Sequence, residues 1–320
     1  MLKVAILSRW HVHAMEYARF FQNNKESTVT CMWDEESEAG KAFAEKIGVE
    51  FEPDLDKLLN RHDVDAVCIN APTNMHGSVI VKAALAGKHV FTEKVLALTS
   101  KECIEVREAL EKGNAKFTIS FPHRTFPYNL YAKKVLDDKL LGEVTYLRMR
   151  NAHNGASAKW LPAHFYDKTQ CGGGAMIDLG AHPMYLIAWL LGKPTEVKSM
   201  FTSVTGCEVE DNAVSVMSYA SGAIAVSETS FVSANSPSTL EIYGTEGSLS
   251  IVGRDIRLYS SNIGLKGYNG WIIPSSLPNA LPSPAQQFID SCLHDKEILF
   301  GIDDATLLTE IMEMAYAKTV

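Results

Sequence analysis

The chain has no Cys-x-x-Cys pair, no long run of one charge sign and no uninterrupted apolar stretch of the roughly 18 residues that a membrane span requires. Each absence removes a class of function. Six cysteines, at positions 31, 68, 103, 171, 207 and 292, form no tight cluster, so reduced thiols are expected rather than disulfides or a zinc knuckle. The 30 basic and 38 acidic residues give a formal charge of −8, which argues against nucleic acid as a partner. The apolar run at the N-terminus, Val4 to Leu7, is too short for a secretory signal; with no span either, a cytoplasmic protein without a membrane partner is expected.

The composition that remains, 46% apolar and 21% charged, is that of a globular protein, and 320 residues suit two domains. Lys3 to Leu7 predicts a strand, Ala14, Tyr17, Ala18 and Phe21 a helix, and Thr28 to Trp33 a second strand ending at Asp34. In such a β-α-β unit an acid at that strand tip accepts the ribose hydroxyls of a dinucleotide and repels a 2′-phosphate. Asp34 can equally cap a helix beginning near Glu35. The alternation continues through helix 55–59, strand 64–69, helix 77–86, strand 89–92, a capping-box helix start at Thr99 to Glu102, and strand 116–121. Continuous apolar strands between helices predict a doubly wound parallel sheet over residues 1–122, with its site at the carboxyl ends of the strands. Polar groups gather there at Asn70 to Asn74 with His76, at Glu93-Lys94, and at Phe121 to Arg124. Lys94, just past a buried strand, suits a proton donor or an electrostatic anchor; the plainer reading is a solvated lysine paired with Glu93.

Residues 123–320 read differently. A helix at 127–136 precedes a long irregular segment, 153–171, in which His153, Trp160 and His164 are candidates to stack on or hydrogen-bond a sugar; Trp160 can equally anchor the loop. The run from Gly172 to Gly192 predicts a buried helix over 175–191, with Asp178 and His182 four residues apart on one face and a kink at Pro183 beside His182. Alternating pairs Leu240/Ile242, Leu249/Ile251 and Ile256/Leu258 predict antiparallel strands with one free face. Residues 261–284 read as loop, and two closing helices are expected at 284–293 and 303–318.

Ala71-Pro72-Thr73-Asn74-Met75-His76, Ala83 to Val90, Glu93-Lys94, and Gly172-Gly173-Gly174 followed by Asp178 and His182 resemble, in this order and over most of the chain, the Gfo/Idh/MocA family of NAD(P)-dependent oxidoreductases. The resemblance implies an N-terminal Rossmann domain and a C-terminal α/β domain with a large open, mainly antiparallel sheet that forms a homodimer or homotetramer interface. It implies hydride transfer between a nicotinamide cofactor, NAD or NADP, and a hydroxyl or carbonyl carbon of a sugar, polyol or inositol. Lys94, Asp178 and His182 fall on the family's catalytic positions. The cofactor would be met by Ser8, Arg9, Trp10, His11, Val12, Asp34, Asn70, Ala71, Pro72, Asn74, His76, Glu93 and Lys94, and the substrate by Arg124, His153, Trp160 and His164.

Two positions depart from the pattern. The glycines of the first β-α turn are replaced by Ser8, Trp10 and His13, which alters the backbone approach to a pyrophosphate. Val95 stands where the family has proline, so a trans Lys94-Val95 bond is expected, a non-proline cis bond costing about 3 kcal/mol. Two other functions are compatible with these residues: a non-catalytic regulatory protein that binds dinucleotide and sugar, and a zinc hydrolase barrel using His11 and His13. The barrel needs eight strand-helix units, which the second half does not offer, so no metal is expected.

Overall fold

The computed structural model describes residues 1–263 and 270–317. The chain divides into two compact units, Met1–Ser120 with Pro282–Thr309, and Phe121–Leu281 with the chain from Glu310 onward. The first unit is built from β1 (Leu2–Leu7), α1 (Ala14–Asn23), β2 (Ser27–Trp33), α2 (Ser37–Ile47), β3 (Glu50–Phe51), α3 (Leu55–Leu59), β4 (Ala66–Ile69), α4 (Thr73–Leu85), β5 (His89–Thr92), α5 (Ser100–Lys112) and β6 (Phe117–Ile119). All strand pairs are parallel, in the order β3-β2-β1-β4-β5-β6. This is the order of a dinucleotide-binding sheet, whose crevice lies at the carboxyl ends of the strands flanking the reversal. The strands are apolar on both faces because helices cover both; β4 is wholly buried. The expected capping box is present, Thr99 accepting from the Glu102 N–H and the Glu102 side chain accepting from Thr99.

The second unit contains α6 (Pro127–Asp137), β7 (Val144–Ala152), α7 (Lys168–Cys171), α8 (Ala175–Asp178), α9 (Ala181–Leu191), β8 (Glu196–Thr202), β9 (Asn212–Ser218), β10 (Ile224–Ser230), β11 (Thr239–Gly244), β12 (Gly247–Val252) and β13 (Asp255–Ser260). Its seven strands run β13-β12-β11-β7-β10-β9-β8, antiparallel except for the parallel pair β7 and β10. Register places Ala213, Ser215, Met217, Leu147, Met149, Leu240, Ile242, Leu249, Ile251, Ile256 and Leu258 on one buried face. The opposite face carries exposed Met200, Val216, Ile224, Tyr243, Val252 and Tyr259 around ion pairs of Arg148 with Glu228 and Glu241. An open six-strand sheet and a separate seven-strand sheet are incompatible with an eightfold barrel, so the hydrolase alternative falls.

Near the C-terminus lie α10 (Pro284–His294) and α11 (Ile302–Ala317). Ala285, Phe288 and Ile289 of α10 enter the core of the first unit with Val4, Ile6, Phe21 and Phe91, the rings of Phe21, Phe91 and Phe288 meeting at 5.8–6.5 Å. The expected loop over 261–284 includes residues 264–269, and the expected last helix includes residue 318; these lie outside the described residues. Among the described residues no single helix is long and apolar enough to cross a membrane.

Two expectations are corrected. The helix expected over 175–191 is broken: α8 ends at Asp178 and α9 begins at Ala181. The break precedes His182: the Gly180 N–H bonds the Ala175 carbonyl five residues back instead of four, and Gly180 lies so close to Met176 that a Cβ there would stand 2.5 Å from its carbonyl oxygen. Pro183 then falls in the first turn of α9, where its missing N–H has no partner to lose. Asp178 and His182 therefore do not share one helical face. The second correction is the Lys94-Val95 bond, which is cis. Local sterics favour trans, but here the tertiary setting decides: Val95, Leu96 and Ala97 are buried, and the Val95 carbonyl accepts from the enclosed His76.

Candidate active site

The first unit gathers polar side chains at the ends of β1, β4 and β5. Ser8 takes the left-handed conformation (φ 72°) that a glycine would otherwise supply, and its hydroxyl donates to Glu35 while accepting from the Trp10 N–H. Arg9 and Glu36 donate backbone N–H bonds of 2.9 Å to the two oxygens of Asp34, and the Arg9 guanidinium reaches the Glu36 carboxylate. Burial pushes the Asp34 carboxyl up, against those two backbone donors. Trp10 is buried and Val12 half exposed. Asn70 is fully enclosed and its Oδ1 has no hydrogen-bond partner; Ala71 and Pro72 are buried at the entry to α4, and Asn74 is exposed. His76 is occupied by main chain, with Nδ1 2.7 Å from the Val95 carbonyl and Nε2 2.8 Å from that of Ala71. Burial pushes its pKa below that of an ordinary imidazole despite these acceptors.

Glu93 and Lys94 follow β5 directly, and both are buried, so the solvated-lysine reading does not describe Lys94. Glu93 Oε2 accepts the Lys94 backbone N–H at 3.0 Å, and Oε1 meets His13 Nδ1 at 2.8 Å and the Tyr17 hydroxyl, which also contacts Ser120 Oγ at 2.8 Å. Burial pushes the Glu93 carboxyl up, yet the imidazoles of His11 and His13 and the Lys94 ammonium hold it well below the usual carboxylate range. Burial works against the charge of His13, but Glu93 raises its pKa overall.

In the second unit Asp178 closes α8, and the Gly172–Gly174 run lets the chain press against its neighbours. A Cβ at Gly174 would stand 2.0 Å from the Glu210 carbonyl oxygen. His182, buried in the first turn of α9, has Nδ1 3.0 Å from the Tyr185 hydroxyl. The ring of His123 stacks on that of His182, and the Tyr185 hydroxyl accepts the His123 N–H at 3.1 Å. Tyr185 in turn stacks on Phe121. The sequence placed His123 within the polar stretch Phe121 to Arg124 but gave no sign of these contacts, because its partners lie 59 and 62 residues away. The Arg124 guanidinium sits 5.1 Å over the Trp189 ring.

The remaining substrate candidates form a separate group. His153 stacks on Phe231 and lies 4.6 Å from the largely exposed Trp160, whose Nε1 donates to Asn154. His153 and Asn154, with Asn235 and Ser236, line an open cleft of about 570 Å³. The expected long loop contains the short 3-10 turn Ala163–Tyr166, where the His164 carbonyl accepts from the Cys171 thiol. All six cysteines are thiols.

The residues present fit NAD: a carboxylate at the tip of β2 suits the adenosine ribose, the N-terminus of α1, which no side chain caps, suits the pyrophosphate, and at the end of β4 the enclosed Oδ1 of Asn70 has no partner. The turn at Ser8 to His13 differs from a glycine-rich one, with Trp10 filling the second glycine's place.

Comparison with known proteins places this geometry. Residues 11–121 match an oxidoreductase family described as an NAD-binding Rossmann fold, and residues 129–250 match the GFO/IDH/MocA C-terminal domain. The scyllo-inositol 2-dehydrogenase (NAD(+)) of Bacillus subtilis is 27% identical over 88% of this chain and 84% of its own. Levoglucosan dehydrogenase of Pseudarthrobacter phenanthrenivorans is 26% identical over 61% of this chain. The matched stretch spans 57% of that relative's length and 53% of an uncharacterized oxidoreductase of Streptococcus pneumoniae. A solved structure of levoglucosan dehydrogenase in complex with NADH superimposes with a TM-score of 0.82 at 19% identity, covering 98% of this chain and 95% of that one. With both domains matched in order, the chain belongs to the Gfo/Idh/MocA family of oxidoreductases.

Proposed function

We propose that this protein transfers a hydride between a carbinol carbon of a sugar, polyol or inositol and NAD. NAD, when bound, accepts the hydride at its nicotinamide ring. His182, whose Nδ1 is held by the Tyr185 hydroxyl, takes the hydroxyl proton. Lys94 donates a hydrogen bond to the same substrate oxygen and stabilises the negative charge that develops there. Asp178 orients the substrate. The observation that carries this reading is the fixed imidazole of His182, enclosed, held at Nδ1 by the Tyr185 hydroxyl and stacked on a second ring. The family, and the inositol and anhydrosugar substrates named for two relatives, support the substrate class.

Asp34 favours NAD over NADP, because its carboxylate repels a 2′-phosphate. Titration with both dinucleotides, followed by a screen of sugars, polyols and inositols for reduced-nicotinamide absorbance, tests the proposal. Tighter binding of NAD and turnover of at least one compound are expected. Stoichiometric dinucleotide binding without turnover across the panel would replace it with the non-catalytic binding reading.

We further infer a homodimer or homotetramer assembled through the exposed face of the seven-stranded sheet. Six apolar side chains on one side of a sheet support this. Val216→Glu should convert the assembly to monomers in light scattering; an unchanged mass would show that another surface is used.

A further inference from the structure

The turn that replaces the glycine fingerprint carries a donor set to which the proposed proton and hydride movements give no part, although His11 and Glu93 also stand among the expected cofactor contacts. His11 and His13 flank Val12 between β1 and α1, and their rings stand 4.7 Å apart at 61°. Glu93 reaches the same point from the end of β5, with Oε1 2.8 Å from His13 Nδ1 and 3.8 Å from His11 Nδ1. One ligand atom from each of the three lies within 4.8 Å of those of the others. Three donors each about 2.1 Å from one cation are separated by about 3.4 Å in tetrahedral geometry, so ring adjustments of about 1 Å bring them onto a common centre.

Ligation replaces hydrogen bonds already present: the His13 backbone N–H donates to the His11 Nδ1 lone pair at 3.3 Å and His13 Nδ1 meets Glu93 Oε1 at 2.8 Å, so an ion binds only by displacing the first and taking the place of the proton in the second. The His11 backbone N–H is tied to the Asn70 carbonyl at 3.0 Å, which fixes the turn. Glu93 is oriented from outside the cluster by the Lys94 N–H and the Tyr17 hydroxyl, and Tyr17 by Ser120, an arrangement of outer partners like that which aims ligands in metal sites. His11 and Glu93 are enclosed while His13 is 39% exposed, which leaves a route for an ion from solvent.

We propose that His11, His13 and Glu93 form a binding site for a divalent first-row transition cation of the zinc type. Two imidazole nitrogens and one carboxylate oxygen select such ions over calcium or magnesium, which take all-oxygen shells. Three protein ligands leave at least one position for water or an exchangeable anion, the pattern of open rather than structural sites. The site belongs to the first unit alone and does not depend on the hydride-transfer reading.

The test uses the full chain, stripped with chelator and dialysed, without dinucleotide or substrate. Co²⁺ is titrated in while its visible d–d absorption is recorded, and Zn²⁺ is then added as competitor. One equivalent of Co²⁺, displaced by one equivalent of Zn²⁺, is expected with a dissociation constant on the order of 10 μM or tighter. His13→Ala, at a half-exposed position, and His11→Asn should each weaken uptake by about 100-fold or more with unchanged far-UV circular dichroism. Glu93→Gln should do the same; if that variant fails to fold, the two histidine variants decide the matter. Failure of the wild type to take up one equivalent at about 100 μM metal, or equal uptake by wild type and His13→Ala, overturns the site and leaves a closed hydrogen-bonded network. Neither result bears on turnover, which is measured separately in metal-free protein.

Discussion

The imidazole of His182 lies flat against that of His123, with ring centroids 4.2 Å apart and planes 15° from parallel. His123 follows Phe121 and Pro122 in a short 3-10 turn, whereas His182 opens α9; the Tyr185 hydroxyl bridges the two by bonding the ring of one and the backbone of the other. His123 is thus a positioning residue for the proposed base.

Removing that stack should loosen His182 without touching the substrate. His123→Ala is expected to lower kcat by about tenfold or more with KM changed little, since small misplacements of a catalytic group are costly. His123→Phe keeps a flat ring and should recover most of the loss. Steady-state kinetics on the three proteins checks this; equal kcat in wild type and His123→Ala would remove His123 from the account.

Glu228, on the open face of the sheet, holds Arg148 through two bonds, Nε to Oε1 at 2.6 Å and Nη2 to Oε2 at 3.0 Å. The hydrogen bond from Arg148 lowers the Glu228 pKa, with burial opposing it. A carboxyl depressed in the folded state adds stability above its unfolded pKa of about 4.3, and that stability is lost as pH falls through the folded value. Wild type should therefore exceed Glu228→Gln in urea stability at pH 7, and the gap should close as pH falls from about 5 towards 3. A gap independent of pH would show that the pair contributes nothing through its charge.

Gly174 stands where a side chain has no room, because its neighbour is the main-chain oxygen of Glu210 and not a movable side chain. Gly174→Ala should cost more than about 2 kcal/mol in denaturant unfolding, by forcing the backbone apart ahead of α8. A loss below about 0.5 kcal/mol would mean that the segment relaxes freely.

Much of the first unit is legible in the sequence, because its signals are local. Leu55–Leu59 and His89–Thr92 have the limits that apolar periodicity predicts, and the Thr99/Glu102 box marks the start of α5. What escapes the sequence depends on groups that meet only in the fold. The apolar run from Ala175 to Leu191 reads as one helix because the close approach of Gly180 to Met176 is invisible in a pattern of hydrophobicity. The Lys94-Val95 bond is set by enclosed neighbours rather than by its own two residues. His123 against His182, and Glu93 against His11 and His13, join positions 59 to 82 residues apart, so no spacing rule reveals them.

The most direct test of hydride transfer is steady-state turnover of His182→Ala and Lys94→Ala on the compound that wild type oxidises best, followed by reduced-nicotinamide absorbance. Each variant should lose about 100-fold or more in kcat while still binding NAD. Turnover within about threefold of wild type in both would contradict the assignment of His182 as base and Lys94 as its partner at the substrate oxygen.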